Sequence, residues 1–251
     1  MLIEIKHRIM FDVMSDDLIA VISQGMKDLN IELPPGTEAA FRVYYDFLNS
    51  HRKNVNLTAI TGVEETARLH FLDSLALLNS VEFENINVID IGSGAGFPGV
   101  PLKLAKPSIE LTLLDATGKR IAFLTKLCEK LDIEAICVQA RAEEAAHIPN
   151  MRQQYDIAVS RAVARLNVLC ELCLPFVRNG GLFLAMKTVD SEQEVEDAKN
   201  AINILGGKLQ RHYDYAIPGT DISHRVIIIK KETNTPEVYP RRYSKITKAP
   251  L

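Results

Sequence analysis

The sequence predicts an α/β fold: a mostly parallel seven-stranded sheet, preceded by an N-terminal helical extension and closed by a terminal antiparallel hairpin. Three observations carry that prediction. From residue 88 onward short apolar runs alternate with segments of helical periodicity, the pattern of a parallel sheet buried on both faces. The first run, Val88-Ile89-Asp90-Ile91, leads into the closely spaced glycines Gly92, Gly94 and Gly96, a strand, tight turn and helix of the kind that receives a nucleotide-type ligand. The last two runs are joined only by a loop containing Ile217-Pro218-Gly219-Thr220-Asp221; no crossover helix intervenes, so they pair antiparallel.

Taken in order, residues 1–13 are weakly patterned, and Met14-Ser15-Asp16-Asp17 makes a natural start with its own helix cap. The first residues are therefore expected to be an upstream extension. Leu18, Ile19, Ile22, Met26 and Leu29 recur at helix spacing until Pro34-Pro35-Gly36 breaks the pattern. Thr37 is expected to cap a second helix carrying Phe41, Tyr44, Tyr45 and Leu48 on one face. After the polar stretch from His51 to Asn56, two short helices are expected near 64–69 and 71–80. Strands are expected at 88–91, 111–115, 134–139, 157–160, 182–187, 209–215 and 225–231, with helices near 100–105, 119–131, 142–146, 166–177 and 192–205. Ser191 with Glu194 three residues on reads as a capping box. The chain thus divides into a helical extension (1–85), a sheet domain (86–235) and a basic tail (236–251).

Size and composition narrow the function classes. A chain of 251 residues with 47% hydrophobic and 24% charged residues can build a large core without disulfides or metals. The net charge of -3 means that a nucleic-acid partner must be met by a local patch. No apolar stretch is long enough to span a membrane, and Met1-Leu2-Ile3-Glu4-Ile5-Lys6 is charged too early for a secretory signal. Cys128, Cys137, Cys170 and Cys173 lie in apolar segments, which suits a reducing, cytoplasmic interior. Cys170-Glu171-Leu172-Cys173 mimics a redox pair but sits in an apolar helix, so core cysteines are the better reading; nor do the four form two tight zinc half-sites.

Five parallel strands plus an antiparallel hairpin distinguish a class I (Rossmann-like) methyltransferase sheet from a dinucleotide-binding dehydrogenase. Phe97 also stands where the dinucleotide fingerprint requires its third glycine. Asp115 ends the second strand, where a carboxylate can accept both hydroxyls of a ribose; capping the following helix is the competing role, and the two are compatible. Gln139-Ala140-Arg141-Ala142-Glu143 follows the third strand, beside the expected place of an adenine ring, although Glu143 also suits a helix start. After the fourth strand comes Ser160-Arg161-Ala162-Val163-Ala164-Arg165. An Asp/Asn-Pro-Pro-aromatic tetrad for amine acceptors is absent there, as is a Pro-Cys nucleophile, which leaves acceptors such as a ring nitrogen with a free lone pair.

Several separate signatures then fall in order: Asn56-Leu57-Thr58-Ala59-Ile60, His70-Phe71-Leu72-Asp73-Ser74-Leu75, Asp90 through Gly99, Ser160 through Arg165, and Tyr239-Pro240-Arg241-Arg242. From about Asn56 to Leu251 the chain resembles the bacterial 16S rRNA guanine-N7 methyltransferases, the glucose-inhibited division protein B or methyltransferase G family. The resemblance implies S-adenosylmethionine as cofactor, with contacts at Gly92, Phe97, Asp115, Ala116, Thr117, Ala142, Glu143 and Arg161 beside the loop glycines Gly94 and Gly96. It also implies a guanine N7 of 16S rRNA, in the small ribosomal subunit, as methyl acceptor. Thr188 after Lys187, and Tyr243-Ser244-Lys245-Ile246 in the tail, depart from the family pattern. The role of His70 and Asp73, on one helix face, stays open.

Guanine N7 carries an exposed lone pair, so direct in-line attack needs no general base, and no acid or base residue is assigned. A displaced guanine is expected near Phe97 and Arg161. Residues 230–251 carry six cations against two anions, with Tyr239 and Tyr243 interleaved, which suits RNA; a merely solvated tail is the bland alternative. Candidate RNA contacts are Arg161, Lys187, Arg241, Arg242, Lys245 and Lys248, with His51-Arg52-Lys53 as a second patch. Truncation after Lys231 is expected to weaken RNA binding and spare cofactor binding. A monomer without metal or membrane is expected. The competing readings are a non-catalytic RNA-binding factor on the same fold and a nicotinamide-dependent oxidoreductase.

Overall fold

Seven strands form: β1 (Asn87–Ile91), β2 (Glu110–Asp115), β3 (Ala135–Gln139), β4 (Tyr155–Arg161), β5 (Val177–Thr188), β6 (Gly207–Ala216) and β7 (Ser223–Lys231). The computed structural model describes residues 17–251 except 56, 162 and 163, and of residues 52–54 the backbone alone. The expected start at Met14 with its cap, and the extension over residues 1–13, lie outside the described residues, as do Asn56, Ala162, Val163 and the side chains of Arg52 and Lys53. The strands make one sheet in the order β3-β2-β1-β4-β5-β7-β6. β1 to β5 run parallel, and β7 pairs antiparallel with both β5 and β6, as the helix-free connection before β7 requires. This is the class I methyltransferase arrangement.

Each strand alternates its side chains between two cores. Val226 and Ile228 of β7 join one cluster, and Ile227 and Ile229 join the other. The first face is covered by α1 (residues 17–28), α2 (Thr37–Val55), α5 (Gly99–Ala105) and α6 (Gly118–Leu131). Leu18, Phe41 and Tyr44 of the helical extension share this cluster with Val100, Leu113 and Phe123 of the sheet domain. The extension therefore shares the cover of this face with α5 and α6. The second face is covered by α8 (Leu166–Cys173) and α9 (Glu192–Ile204).

Four local expectations differ in the structure. The two short helices after residue 60 fuse into one run: α3 (Val63–Thr66), a π-helix (Ala67–Leu72), α4 (Asp73–Leu75) and a 3₁₀ turn (Ala76–Asn79). The Ser191–Glu194 capping box does not form, because Glu194 Oε2 instead accepts the Leu166 N–H at 2.9 Å and pairs with Lys187 at 2.7 Å. The Thr37 hydroxyl donates to the Pro34 carbonyl at 2.8 Å, closing the preceding turn rather than capping α2. α8 stops at Cys173 and tightens into a 3₁₀ turn, since Pro175 has no N–H to continue it.

The basic tail is packed onto the second face rather than appended to it. Arg152 donates to the carbonyls of Thr235 and Tyr239 at 2.9 Å each. Buried Glu171 of α8 grips Arg241 through 2.8 and 2.6 Å bonds. Beyond them α10 (Tyr243–Lys248) inserts Ile246, fully buried, into the second core.

The helical extension is tied to the glycine loop by one hydroxyl. Tyr44 donates to the Ala95 carbonyl at 2.6 Å, and its ring stacks on Phe97 at 5.0 Å. Tyr44→Phe keeps the ring and leaves that carbonyl without its donor, so unfolding in urea should show a loss of about 1–2 kcal/mol with an unchanged slope. A wild-type midpoint would show that the tie contributes nothing.

Candidate cofactor site

The turn after β1 needs glycine for two different reasons. Gly92, Gly94 and Gly96 have φ of +75°, +58° and +101°, which side-chain-bearing residues adopt at a cost. At Gly94 a Cβ would meet only the Gly92 carbonyl oxygen at 3.8 Å, an ordinary contact, so backbone conformation alone selects glycine. At Gly96 a Cβ would stand 2.7 Å from Tyr44 Oη and 2.9 Å from Val100 Cγ2, so contact with α2 selects it as well. The Gly92 and Ser93 N–H groups both donate to the Leu114 carbonyl at 2.8 and 3.1 Å, locking the turn to the end of β2.

A cleft of about 210 Å³ opens where these strands end, at the switch point between β1 and β4 where a doubly wound sheet takes its ligand. Of the expected cofactor residues, Gly92, Asp115, Ala116, Thr117, Ala142 and Glu143 line it. Gly94 and Gly96 shape the turn without lining the cleft. A wider cavity of about 820 Å³ touches Asn87, Glu110 and Ala135, the first residues of β1, β2 and β3. It lies at the wrong end of the strands for this fold's chemistry, and strand polarity decides against volume.

Asp115 is 5% exposed and pre-positioned. Its Oδ1 accepts the Thr117 N–H at 2.8 Å, and its Oδ2 accepts the Gly94 N–H at 3.1 Å and meets Arg120 at 3.3 Å. It thus holds the turn leading into α6, and its remaining lone pairs can still receive hydroxyls. These features fit an adenosine-bearing cofactor: a carboxylate at the ribose position, small Ala116 and Ala142 in the wall, and backbone exposed at a glycine turn.

Phe97 and Arg161 stand apart from the cleft in a buried hub. Phe97 is 5% exposed, with Tyr44 and His70 stacked at 5.0 and 4.7 Å and Phe71 edge-on at 5.4 Å. It has no open face on which to seat a guanine, contrary to the sequence expectation. The Arg161 guanidinium lies 5.2 Å from the Phe97 centroid and donates to Asp73 Oδ2 at 2.9 Å and the Leu69 carbonyl at 3.1 Å. Asp73 also receives Tyr215 Oη at 2.7 Å and His224 Nδ1 at 2.8 Å. Burial opposes its charge, but the His224 hydrogen bond and the Arg161 charge outweigh it and hold the carboxyl below the usual range. Burial, with Arg161 nearby, pushes His70 down to about 4, so its ring is neutral. His70 and Asp73 are therefore parts of the frame behind the glycine loop.

The expected RNA residues separate by exposure. Lys187 bonds the Ala164 carbonyl at 2.6 Å and pairs with Glu194, and Arg241 is held by Glu171. With Arg161 in the hub, these three are engaged inside the protein, whereas Arg242, Lys245 and Lys248 are exposed. Sequence reasoning passed over Arg120 and Leu172 and read Tyr243 for RNA alone; all three also line the cleft. Arg120 follows Asp115 by five residues and could have been found; Leu172 and Tyr243 arrive through chain paths that no local pattern reveals. All four cysteines are free thiols, and Cys170 and Cys173 are buried as core residues.

Asp90 gives this region a pH signature. It is fully buried, its Oδ2 accepts the Gly99 N–H at 2.9 Å, and its Oδ1 has no partner among the described residues. Burial raises it from 3.8 to about 7. A raised carboxyl stabilises the fold below its unfolded value and loses that contribution as pH rises through its folded value. Relative to Asp90→Asn, the native protein should therefore lose stability between pH 4 and pH 7, by on the order of 4 kcal/mol. Parallel denaturation curves of the two proteins at several pH values would show it, and a constant difference would refute it.

Comparison with known proteins places the chain. A family model described as rRNA small subunit methyltransferase G matches residues 37–217. Ribosomal RNA small subunit methyltransferase G of Acetivibrio thermocellus is 43% identical over 92% of this chain and 96% of that protein. Its namesake from Alkaliphilus oremlandii is 42% identical over 94% and 99%. Among solved structures, M. jannaschii TYW2 in complex with AdoMet has a TM-score of 0.50 at 14% identity, covering 63% of this chain and 76% of that one, a likeness of fold alone. With the family model spanning most of the sheet domain and relatives matched nearly end to end, this chain belongs to the rRNA small subunit methyltransferase G family.

Proposed function

We propose that this protein transfers a methyl group from S-adenosylmethionine to N7 of a guanine in 16S rRNA. The observation that carries the reading is the cleft at the switch point, with Asp115 and the glycine turn in its wall, in a chain of this family. When bound, S-adenosylmethionine supplies an electrophilic methyl group. Asp115 accepts the ribose hydroxyls, Ala142 and Glu143 border the adenine, and Gly92 lets the backbone approach closely. Guanine N7 has a free lone pair and carries no proton to remove, so the chain needs no general base. Its contribution is orientation, which can supply up to ~7–11 kcal/mol. Phe97 and Arg161 serve from behind, holding the turn through the hub.

The RNA is met by exposed cations around the mouth. Arg242, Lys245 and Lys248 of the tail are joined by Arg141, which shares a second cavity of about 580 Å³ with Arg242 and Tyr243 beside the cleft. Arg165, exposed at the start of α8, extends this rim toward the end of β4. The reading places the protein in the cytoplasm, as a monomer acting without a metal; its free thiols fit that compartment. Among the described residues no helix is long and apolar enough to cross a membrane.

The direct test is methyl transfer from labelled S-adenosylmethionine to small ribosomal subunits and to naked 16S rRNA, with the product nucleoside identified as 7-methylguanosine. Binding of the cofactor without transfer to either would favour a non-catalytic RNA-binding factor, and tight binding of NADH a nicotinamide enzyme. Asp115→Ala should weaken cofactor binding roughly 10- to 150-fold by calorimetry, the worth of a charge-assisted hydrogen bond of ~1.5–3 kcal/mol. Replacing Lys245 and Lys248 together by alanine should weaken RNA binding uniformly across sequences and lower the salt slope by about one per lysine. An unchanged slope would remove both from the interface.

A further inference from the structure

The tail reads in the sequence as an RNA-binding appendage whose loss leaves the cofactor site intact. Its seat contradicts that separation. Tyr243 lines the same 210 Å³ cleft as Asp115, Ala116 and Glu143. It opens α10, and Ile246, three residues on and thus on the same helix face, is fully buried in the second core. The face that anchors the helix is therefore the one that brings Tyr243 to the cleft. Tyr243 is 40% exposed as a residue, so an aromatic side chain stands in the wall where an adenosine would lie.

The approach to Tyr243 is fixed on both sides. Glu171 has no exposed surface and spends both oxygens on Arg241: Oε1 accepts the Arg241 backbone N–H and Nε at 2.8 Å each, and Oε2 accepts Nη2 at 2.6 Å. The next residue of α8, Leu172, lines the cleft. One turn of one helix thus carries both the clamp on residues 239–242, the strap that leads into Tyr243, and part of the cleft wall. Upstream, His147 bonds the Pro240 carbonyl at 2.9 Å, so the strap is held from both α8 and the segment after β3.

We propose that Tyr243 is a cofactor-binding residue contacting the adenosine moiety of S-adenosylmethionine, and that the buried Glu171–Arg241 pair positions it. The assignment rests on the S-adenosylmethionine reading above. A flat aromatic side chain suits the π face of a base without demanding a particular hydrogen-bond pattern. Lys245 and Lys248 lie on the same six-residue helix, so one element would carry their RNA contact and the cofactor contact of Tyr243.

Calorimetry on the full chain with S-adenosylhomocysteine and with adenosine tests this. Tyr243→Ala should weaken both ligands by the same factor, about tenfold, the size of one base–aromatic stack. Tyr243→Phe should stay within about twofold of the native protein, because the ring makes the contact. Arg241→Gln should weaken S-adenosylhomocysteine to a similar degree by loosening the strap. Bound S-adenosylhomocysteine should also slow tryptic cleavage after Arg242 and Lys245 in the native protein, and should lose that effect in Tyr243→Ala. Tyr243 is a surface residue, so near-native melting of Tyr243→Ala would confirm that the comparison is between folded proteins. Native binding of S-adenosylhomocysteine with undiminished binding by Tyr243→Ala would overturn this assignment alone. No binding by the native protein would overturn it together with the cofactor reading.

Discussion

The buried pair between Arg161 and Asp73 is the interaction on which the arrangement around the glycine loop depends. Burying two charges costs several kcal/mol each, and attraction offsets that only when the remaining hydrogen bonds are made as well. Here they are made. Asp73 takes Arg161, Tyr215 and His224, while Arg161 also takes the Leu69 carbonyl and His70. The partners come from the π-helical run, from the end of β4, and from β6 and β7. Three segments that look independent along the chain are thereby held in one register, and Phe97 is packed against the result. Removing Arg161 or Asp73 would leave its partner's charge uncompensated, and removing one of the other groups would leave the pair short of a hydrogen bond.

How much of this was legible in the sequence follows from the range of each signal. Strands and helices of the sheet domain were readable because their periodicity is local, and so was the topology, because a helix-free connection dictates an antiparallel pair. Asp115 was readable because one strand end places it. The hub was not, although its members were visible: nothing local says that Asp73 would meet Arg161, eighty-eight residues on. Ser191 and Glu194 had the spacing of a capping box, yet Glu194 found Leu166 and Lys187 instead. Propensity set the candidates there, and tertiary competition chose among them.

Counting charge misleads in the same way. The net positive charge of residues 230–251 looked like a single RNA-binding property. Folding divides it: Lys231 is fully buried against the Leu174 and Leu205 carbonyls, Arg241 is clamped by Glu171, and Arg242, Lys245 and Lys248 remain outside. Arginine thus does three jobs in one chain, as hub at 161, as clamp at 241 and as exposed cation at 242. Only the last is available to a phosphate. A patch argued from sequence must therefore be discounted by the cations that the core takes first.

The proposed chemistry accounts for so much structure around so small a cleft. On that proposal a ring nitrogen with a free lone pair asks for no acid or base, so most of the catalytic effect comes from holding two reactants in line. Alignment is lost by displacements that a hydrogen bond tolerates, and it must be secured by groups that never touch the reacting atoms. The aromatic stack of Tyr44, Phe97 and His70 and the doubly bonded Leu114 carbonyl meet that need on one side of the loop. On the other side, Glu171 seats the strap and Leu172 forms the wall from adjacent positions of α8. Orientation is thus a property of the whole frame, and residues far from the methyl group belong to the mechanism through the geometry they impose.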